Sequence, residues 1–359
     1  MARRRRARSL RKPRVPWASI VTVCVAVAAL VGGGAFYAVR MRLTAFGAQP
    51  GGHDLGERVV VTVAPGATAL QVARQLADVG VVADADDFVR WLRRVAKQED
   101  TIKAGTYALS PAMTPEEVLR ELQKGTQLEL RFTVPEGLRK EEVAVIIADA
   151  GFGTVDDLLA AMADDDLIAD CGAPEVPGGL DGYLFPDTYQ FPPGTPPRRI
   201  LRRLCARLEE FLDEGLRARM ADVGFTLHQT LTLASIIESE TGLSRERRRV
   251  SAVFHNRLRK GMKLQTDPTV LYGTVDPDAT IRKSDLRREH PYNTYVVEGL
   301  PPGPICQPGL ASIKAALFPA TDPAIFFVAV GDGSHEFCPD LECHEAAVAR
   351  YRALKNAEP

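Results

Sequence analysis

Residues 17–39 are a mostly apolar run with no charged side chain, interrupted only by Gly32-Gly-Gly34 and a few small polar residues. A water-soluble fold has little use for such a segment. Its length matches the roughly 20 residues that a helix needs to cross a bilayer. The residues before it carry Arg3, Arg4, Arg5, Arg6, Arg8, Arg11, Lys12 and Arg14 and no acid. The positive-inside rule keeps that tail, residues 1–16, in the cytoplasm and sends everything after Arg42 outside. A cleaved signal peptide is the rival reading. No clean small-x-small site follows the run, and the run is long for a signal core, so an uncleaved anchor over 17–39 is preferred. The basic tail would also suit nucleic acid, but directly before a membrane span the topological reading prevails, and no nucleic-acid partner is expected. The net charge of −1 averages this tail with a mildly acidic remainder.

Residues 40–56, with Pro50-Gly-Gly52, read as a linker. About 300 residues remain, enough for two domains with their own cores. Val59-Val-Val-Thr-Val63 reads as a strand, followed by Pro65-Gly66, a helix from Ala69 to Val79 and a second from Ala85 to Val95. Lys103–Leu109 reads as a returning strand. Thr114 and Glu117 form a capping box for a helix over Pro115–Lys124. This βααβ module spans 57–127. Leu128–Val134 starts a second version: a half-buried strand, Pro135-Glu-Gly137 echoing Pro65-Gly66, and a helix over Lys140–Ala150. The second module and its connection are assigned to 128–224 and a mixed α/β domain to 225–359. The fold class is therefore α+β behind one transmembrane helix. The acidic stretch Asp156–Asp170 suits a solvated helix end better than a metal site. Arg198–Met220 reads as one amphipathic packing helix.

The segment Leu231–Gly242 predicts a helix with a glycine stop. Its apolar stripe runs Leu233, Ile236, Ile237, and the next position on that face is Glu240. An acid on an inward face is costly unless paired or protonated. A partly dry carboxyl has the raised pKa that a general acid near neutral pH requires. The plain alternative is a helix-end glutamate, exposed or paired with Arg245, Arg247, Arg248 or Arg249. Glu238, nearly opposite on the helix, is the internal competitor. Downstream, Thr266-Asp-Pro268 marks a helix start with Asp267 as cap, and the proline-rich stretch 301–309 suits a cleft wall. Ile325–Val330 reads as a buried strand, Gly331-Asp-Gly333 as a turn, and His344–Leu354 as a final helix. Of the cysteines, Cys24 lies in the span. Cys338 and Cys343 would close a short disulfide in an oxidising compartment, with a zinc site including His335 and His344 as the weaker option. Cys171 and Cys205 either pair or stay buried, and Cys306 is left over.

Five stretches together resemble the endolytic murein (peptidoglycan) transglycosylase family, also called YceG-like: DGYLFPDTYQF (181–191), ASIIESET (234–241), VFHNRLRKGMKLQTDPTVLYG (253–273), PYNTY (291–295) and LPPGPICQPGLASIKAALFPA (300–320). The resemblance runs from the membrane segment to about His344. It implies that the βααβ module is LysM-like, that His335 and Phe337 belong to the family pattern, and that Glu240, the second glutamate of ESET, is the catalytic residue. It further implies one carboxyl acting first as acid on the bond from N-acetylmuramic acid to N-acetylglucosamine. The same group then acts as base on the muramyl C6 hydroxyl, leaving a 1,6-anhydro end. Gln265, Asp267 and Asn293 are candidates to face the cationic transition state, against a plain role in loop capping and turn bonding. Tyr292 and Tyr295 suit stacking on sugar faces or, equally, core packing. No cofactor or metal is expected. The implied partners are peptidoglycan strands, the membrane and cell-wall synthases. The implied location is the cytoplasmic membrane of a bacterium, with the catalytic domain outside. A glycan-binding scaffold without activity and a zinc hydrolase are the competing readings.

Overall fold

The computed structural model describes residues 17–51, 58–97, 101–125, 128–176, 179–272 and 280–357. The basic tail, most of the glycine-rich end of the expected linker and Gly273 of the long motif lie outside the described residues. The chain forms two compact units, one up to Leu128 and one over Glu129–Pro359.

In the first unit, α1 (Trp17–Ala48) is long and apolar enough to cross a membrane. It runs beyond the expected end at Val39, through what reads as linker. The reason is packing: Leu43 is buried, and Gly47 lies so close to Trp91 that a Cβ there would come within 2.2 Å of the indole Nε1. A glycine that reads as a breaker in sequence here permits close approach. The module follows the expected order: β1 (Val59–Val63), α2 (Ala69–Asp78), α3 (Ala85–Trp91) with a π-turn to Ala96, β2 (Gly105–Leu109) and α4 (Pro115–Lys124). β1 and β2 pair antiparallel with Val61 opposite Tyr107, and both side chains enter the core with Leu76, Phe88 and Leu122. The Thr114–Glu117 capping box is formed, and Thr68 with Gln71 makes a second one at α2.

The second unit opens on the same plan. β3 (Leu130–Thr133) returns as an antiparallel partner, β4 (Thr188–Phe191), after α5 (Lys140–Asp149), α6 (Val155–Met162) and α7 (Asp165–Asp170). Gly66 and Gly137 both take positive φ in the turn after the first strand, as the echoed Pro-Gly motifs predict. The acidic stretch is more than a solvated end. Asp164 caps α7 at the Leu167 amide, and Asp164 and Asp170 pair with Arg198 and Arg202. The single helix expected over Arg198–Met220 is two, α8 (Pro197–Phe211) and α9 (Glu214–Val223), because Asp213 turns its carboxylate onto the Leu216 amide and starts a new helix. Cys171 and Cys205 form a disulfide between the end of α7 and α8.

The remaining elements are α10 (Leu227–Glu240), α11 (Arg247–Arg259), α12 (Asp267–Tyr272), α13 (Leu310–Leu317), the antiparallel hairpin β5 (Phe326–Ala329) and β6 (His335–Cys338), and α14 (Leu341–Ala357). One hydrophobic core runs from Phe132 through Leu204 and Ile236 to Leu317, so the packing does not divide at the expected boundary 224/225. β5 is half-buried rather than buried, since a two-stranded hairpin covers only one of its faces. Asp181 of the DGYLFPDTYQF stretch is fully buried and ties three segments together. It accepts from the Lys140 amide (2.9 Å), Gln307 Nε2 (3.1 Å) and Tyr272 Oη (2.7 Å).

Candidate active site

Thr226 and Gln229 start α10 with a capping box, and every residue from Thr230 to Ile237 is buried. The helix is a central strut, and its last turn carries two acids into different surroundings. It does not end on a left-handed glycine: Thr241 leaves in an extended conformation (φ −145°). Glu238 is enclosed as well, although it lies off the Glu240 face. It pairs with Arg247 Nη2 at 2.7 Å and accepts the Gly309 amide at 3.0 Å, where α13 begins. Its carboxylate is consumed in joining α10, α11 and α13.

Glu240 instead enters a cleft of about 330 Å³ together with Gln265, Asp267, Tyr295, Arg257 and Phe326. Burial raises its pKa to about 7. The Asp267 charge pushes the same way, while a hydrogen bond from Thr266 and the field of His335 oppose it. Thr266 Oγ1 donates to Glu240 Oε1. Thr266 is itself fixed, its amide donating to Thr294 Oγ1 (3.0 Å) and its carbonyl accepting from Thr269 Oγ1 (2.7 Å). The carboxyl is thus held from one side by a buried threonine network and open to the cleft on the other.

Gln265 has a left-handed backbone (φ 52°), which an L-residue with a long side chain adopts at a cost of about 1 kcal/mol or more. Two contacts hold it there. Its amide donates to the Thr294 carbonyl (3.1 Å), and its Oε1 accepts from Arg257 Nη1 (3.1 Å). Arg257 is buried on α11 and anchored further by the carbonyls of Lys263, Leu264 and Ile325, with its guanidinium 5.0 Å from the Phe326 ring centre. Asp267 begins α12, but the bond its carboxylate makes is to Tyr295 Oη (2.6 Å), in place of the expected helix cap.

Four of the six candidates therefore share one cleft: Glu240, Gln265, Asp267 and Tyr295. Asn293 and Tyr292 do not reach it. Asn293 is fully buried, its Nδ2 donating to the carbonyls of Asp285 (3.0 Å) and Arg288 (2.8 Å) and its Oδ1 accepting the Tyr295 amide (3.0 Å). It shapes the loop that delivers Thr294 and Tyr295. Tyr292 is a core residue against Tyr272, ring centres 4.6 Å apart. The proline-rich stretch, expected as a cleft wall, packs behind α10. The Ile305 amide donates to Ser235 Oγ (3.0 Å), and His228 Nε2 meets the Pro302 carbonyl at 2.6 Å.

The cleft also uses residues that the sequence did not mark as candidates for it: Thr266, which holds Glu240, and the lining residues Arg257, Phe326 and His344, whose ring stacks on Phe326 at 4.6 Å. Thr266 and Arg257 lie inside the long 253–273 motif, so the signal was its density of hydrogen-bonding side chains. His335 lies behind the cleft, its Nδ1 2.8 Å from Glu246 Oε2 and its ring edge-on to Phe327. Cys338 and Cys343 form a disulfide, so both sulfurs of the alternative zinc set are already bonded.

The family model described as the YceG-like family matches residues 61–350, a span that contains the whole cleft and all but the first residues of the module. The chain belongs to the YceG-like family. Among curated relatives, this YceG-like chain is 30% identical over 341 residues to the endolytic murein transglycosylase of Bacillus subtilis strain 168, covering 91% of this chain and 92% of that one. It is 27% identical over 323 residues to the endolytic murein transglycosylase of Streptococcus pneumoniae D39, covering 82% of this chain and 58% of that longer one. Among solved structures, a yceG-like protein of Listeria monocytogenes aligns with a TM-score of 0.56 at 30% identity, over 81% of this YceG-like chain and 99% of that one.

Proposed function

We propose that this YceG-like chain is a membrane-anchored endolytic murein transglycosylase with Glu240 as its single acid and base. The observation that carries the reading is a carboxyl with a pKa near 7, half-buried in a cleft and held by Thr266. At neutral pH such a group is present both as acid and as carboxylate, as a residue that first gives and then takes a proton must be. The protonated Glu240 gives its proton to the glycosidic oxygen, and the N-acetylglucosamine leaves with a free 4-hydroxyl. The muramyl C6 hydroxyl then bonds to C1 and surrenders its proton to the Glu240 carboxylate, which restores the starting acid. The nucleophile belongs to the same sugar, so no bound water has to be activated and proximity lowers the barrier. Asp267 supplies negative charge beside the developing cation, and Tyr295 orients Asp267.

The two disulfides support folding in an oxidising compartment, and α1 supports a single-pass anchor with the basic tail on the cytoplasmic side. In that setting the βααβ module serves as a LysM-like glycan-docking element, and nascent strands from membrane-bound synthases are the natural substrate.

The test is digestion of purified peptidoglycan by the full chain in detergent, with mass spectrometry of the new ends. Anhydro ends absent from a Glu240→Gln control are expected. Reducing ends indicate a hydrolase in which Asp267 acts as a second carboxylate. No new ends of either kind favour a binding scaffold.

A further inference from the structure

The cleft lining combines two kinds of group, the carboxyls of Glu240 and Asp267 and the N–H donors of Arg257 and Gln265. Arg257 is bound through Nε and Nη1 to three backbone carbonyls and to Gln265 Oε1, and among the described residues its Nη2 makes no hydrogen bond. Gln265 meets Arg257 through its oxygen, because only the oxygen can accept from a guanidinium. Its Nε2 is therefore the end left over, and among the described residues it too makes no bond. Both side chains line the cleft, and the strained Gln265 backbone holds the amide in place. The arrangement is a rigid pair of N–H donors with no acceptor among the described residues.

We propose that the Arg257–Gln265 pair is a specificity device that receives the carbonyl oxygen of a sugar N-acetyl group. The inference rests on the transglycosylase reading, which puts an amino sugar at Glu240. The 2-acetamido group is next to C1, and its oxygen is a strong neutral acceptor on that ring. A free amine at the same position is cationic and donor-only, so it meets Arg257 with like charge. Stem-peptide carbonyls and carboxylates offer the same acceptor chemistry from a second source.

The test compares three glycans: peptide-bearing strands, peptide-free N-acetylated strands, and the latter after chemical de-N-acetylation. The enzymes are the full-length wild type, Arg257→Lys and Gln265→Asn. Asparagine tolerates the left-handed backbone but is too short to reach, which covers the case in which the arginine variant fails to fold. The wild type is expected to cut N-acetylated strands at least about 100-fold faster than de-N-acetylated ones. Each folded variant is expected to lose about 10-fold or more on N-acetylated strands, with or without peptides, and little on de-N-acetylated ones. Equal losses on both would mean a structural role and overturn the proposal, as does a loss confined to peptide-bearing strands. If the wild type cuts nothing, the transglycosylase reading fails. Calorimetric titration of Glu240→Gln protein with N-acetylglucosamine and glucosamine oligomers then still decides the donor pair: tighter binding of the acetylated oligomer upholds it, and equal binding rejects it.

Discussion

Thr266 Oγ1 donates a hydrogen bond to Glu240 Oε1 from a position 26 residues further along the chain. The bond favours the carboxylate, while burial and the neighbouring Asp267 charge favour the acid. The balance near pH 7 is therefore adjustable in both directions by single substitutions. Thr266→Val removes the bond, raises the Glu240 pKa further and moves the alkaline fall of kcat/KM to higher pH. Asp267→Asn removes the like charge, keeps an oxygen for Tyr295 and moves the same fall to lower pH. pH–rate profiles of the two variants that shift in the same direction contradict this account.

Glu240→Gln separates activity from stability. Loss of the acid and base is expected to lower kcat by about 10²–10⁴. The stability effect has the opposite sign. A carboxyl whose folded pKa lies above its ordinary value contributes stability below pH 4.5 that is lost as pH rises through about 7. The neutral amide escapes that loss, worth up to about 3 kcal/mol. Thermal unfolding in detergent should show a higher Tm than wild type at pH 8 and little difference at pH 4.

Glu238 should behave in the reverse manner. Removing it by Glu238→Ala leaves Arg247 enclosed without its 2.7 Å partner and the Gly309 amide without an acceptor. Breaking a buried pair in this way costs about 3–5 kcal/mol. A lowered Tm is expected, with any protein that remains folded cutting at a rate within a few-fold of wild type. A folded, fully stable and inactive Glu238→Ala protein would reassign the catalytic acid.

The two disulfides should differ in weight. Cys171–Cys205 bridges a separation of 34 residues and Cys338–Cys343 one of 5. Loop-closure entropy gives about 4 and about 2 kcal/mol for loops of these sizes. Replacing the first pair by alanines is therefore expected to lower Tm more than replacing the second. The second pair anchors the start of α14 next to His344, so its loss should register first in KM.

Much of the architecture was legible because it depends on short-range patterns. The strand Val59–Val63, the alternation at Leu128–Val134, the Thr114–Glu117 box and the placement of Glu240 on the Leu233–Ile236–Ile237 face follow from local composition, the S/T-x-x-E capping motif and periods of two and 3.6 residues. The misses have physical causes too. Gly47 looked like linker because its tight packing on Trp91 is a contact across 44 positions. Asp213 broke a helix that hydrophobic spacing alone would have continued.

The sequence by itself determined that an acid stands on an inward helical face behind a long apolar N-terminal helix, since both depend only on residue order. Only the tertiary structure decided what that acid meets. Whether Glu238 or Glu240 is tied up, whether Asn293 faces the cleft or the core, and which atoms of Arg257 and Gln265 remain available depend on partners tens of residues away. Polar side chains take their roles from whichever donors and acceptors the fold brings within 3 Å, and that distance is set by packing rather than by spacing along the chain.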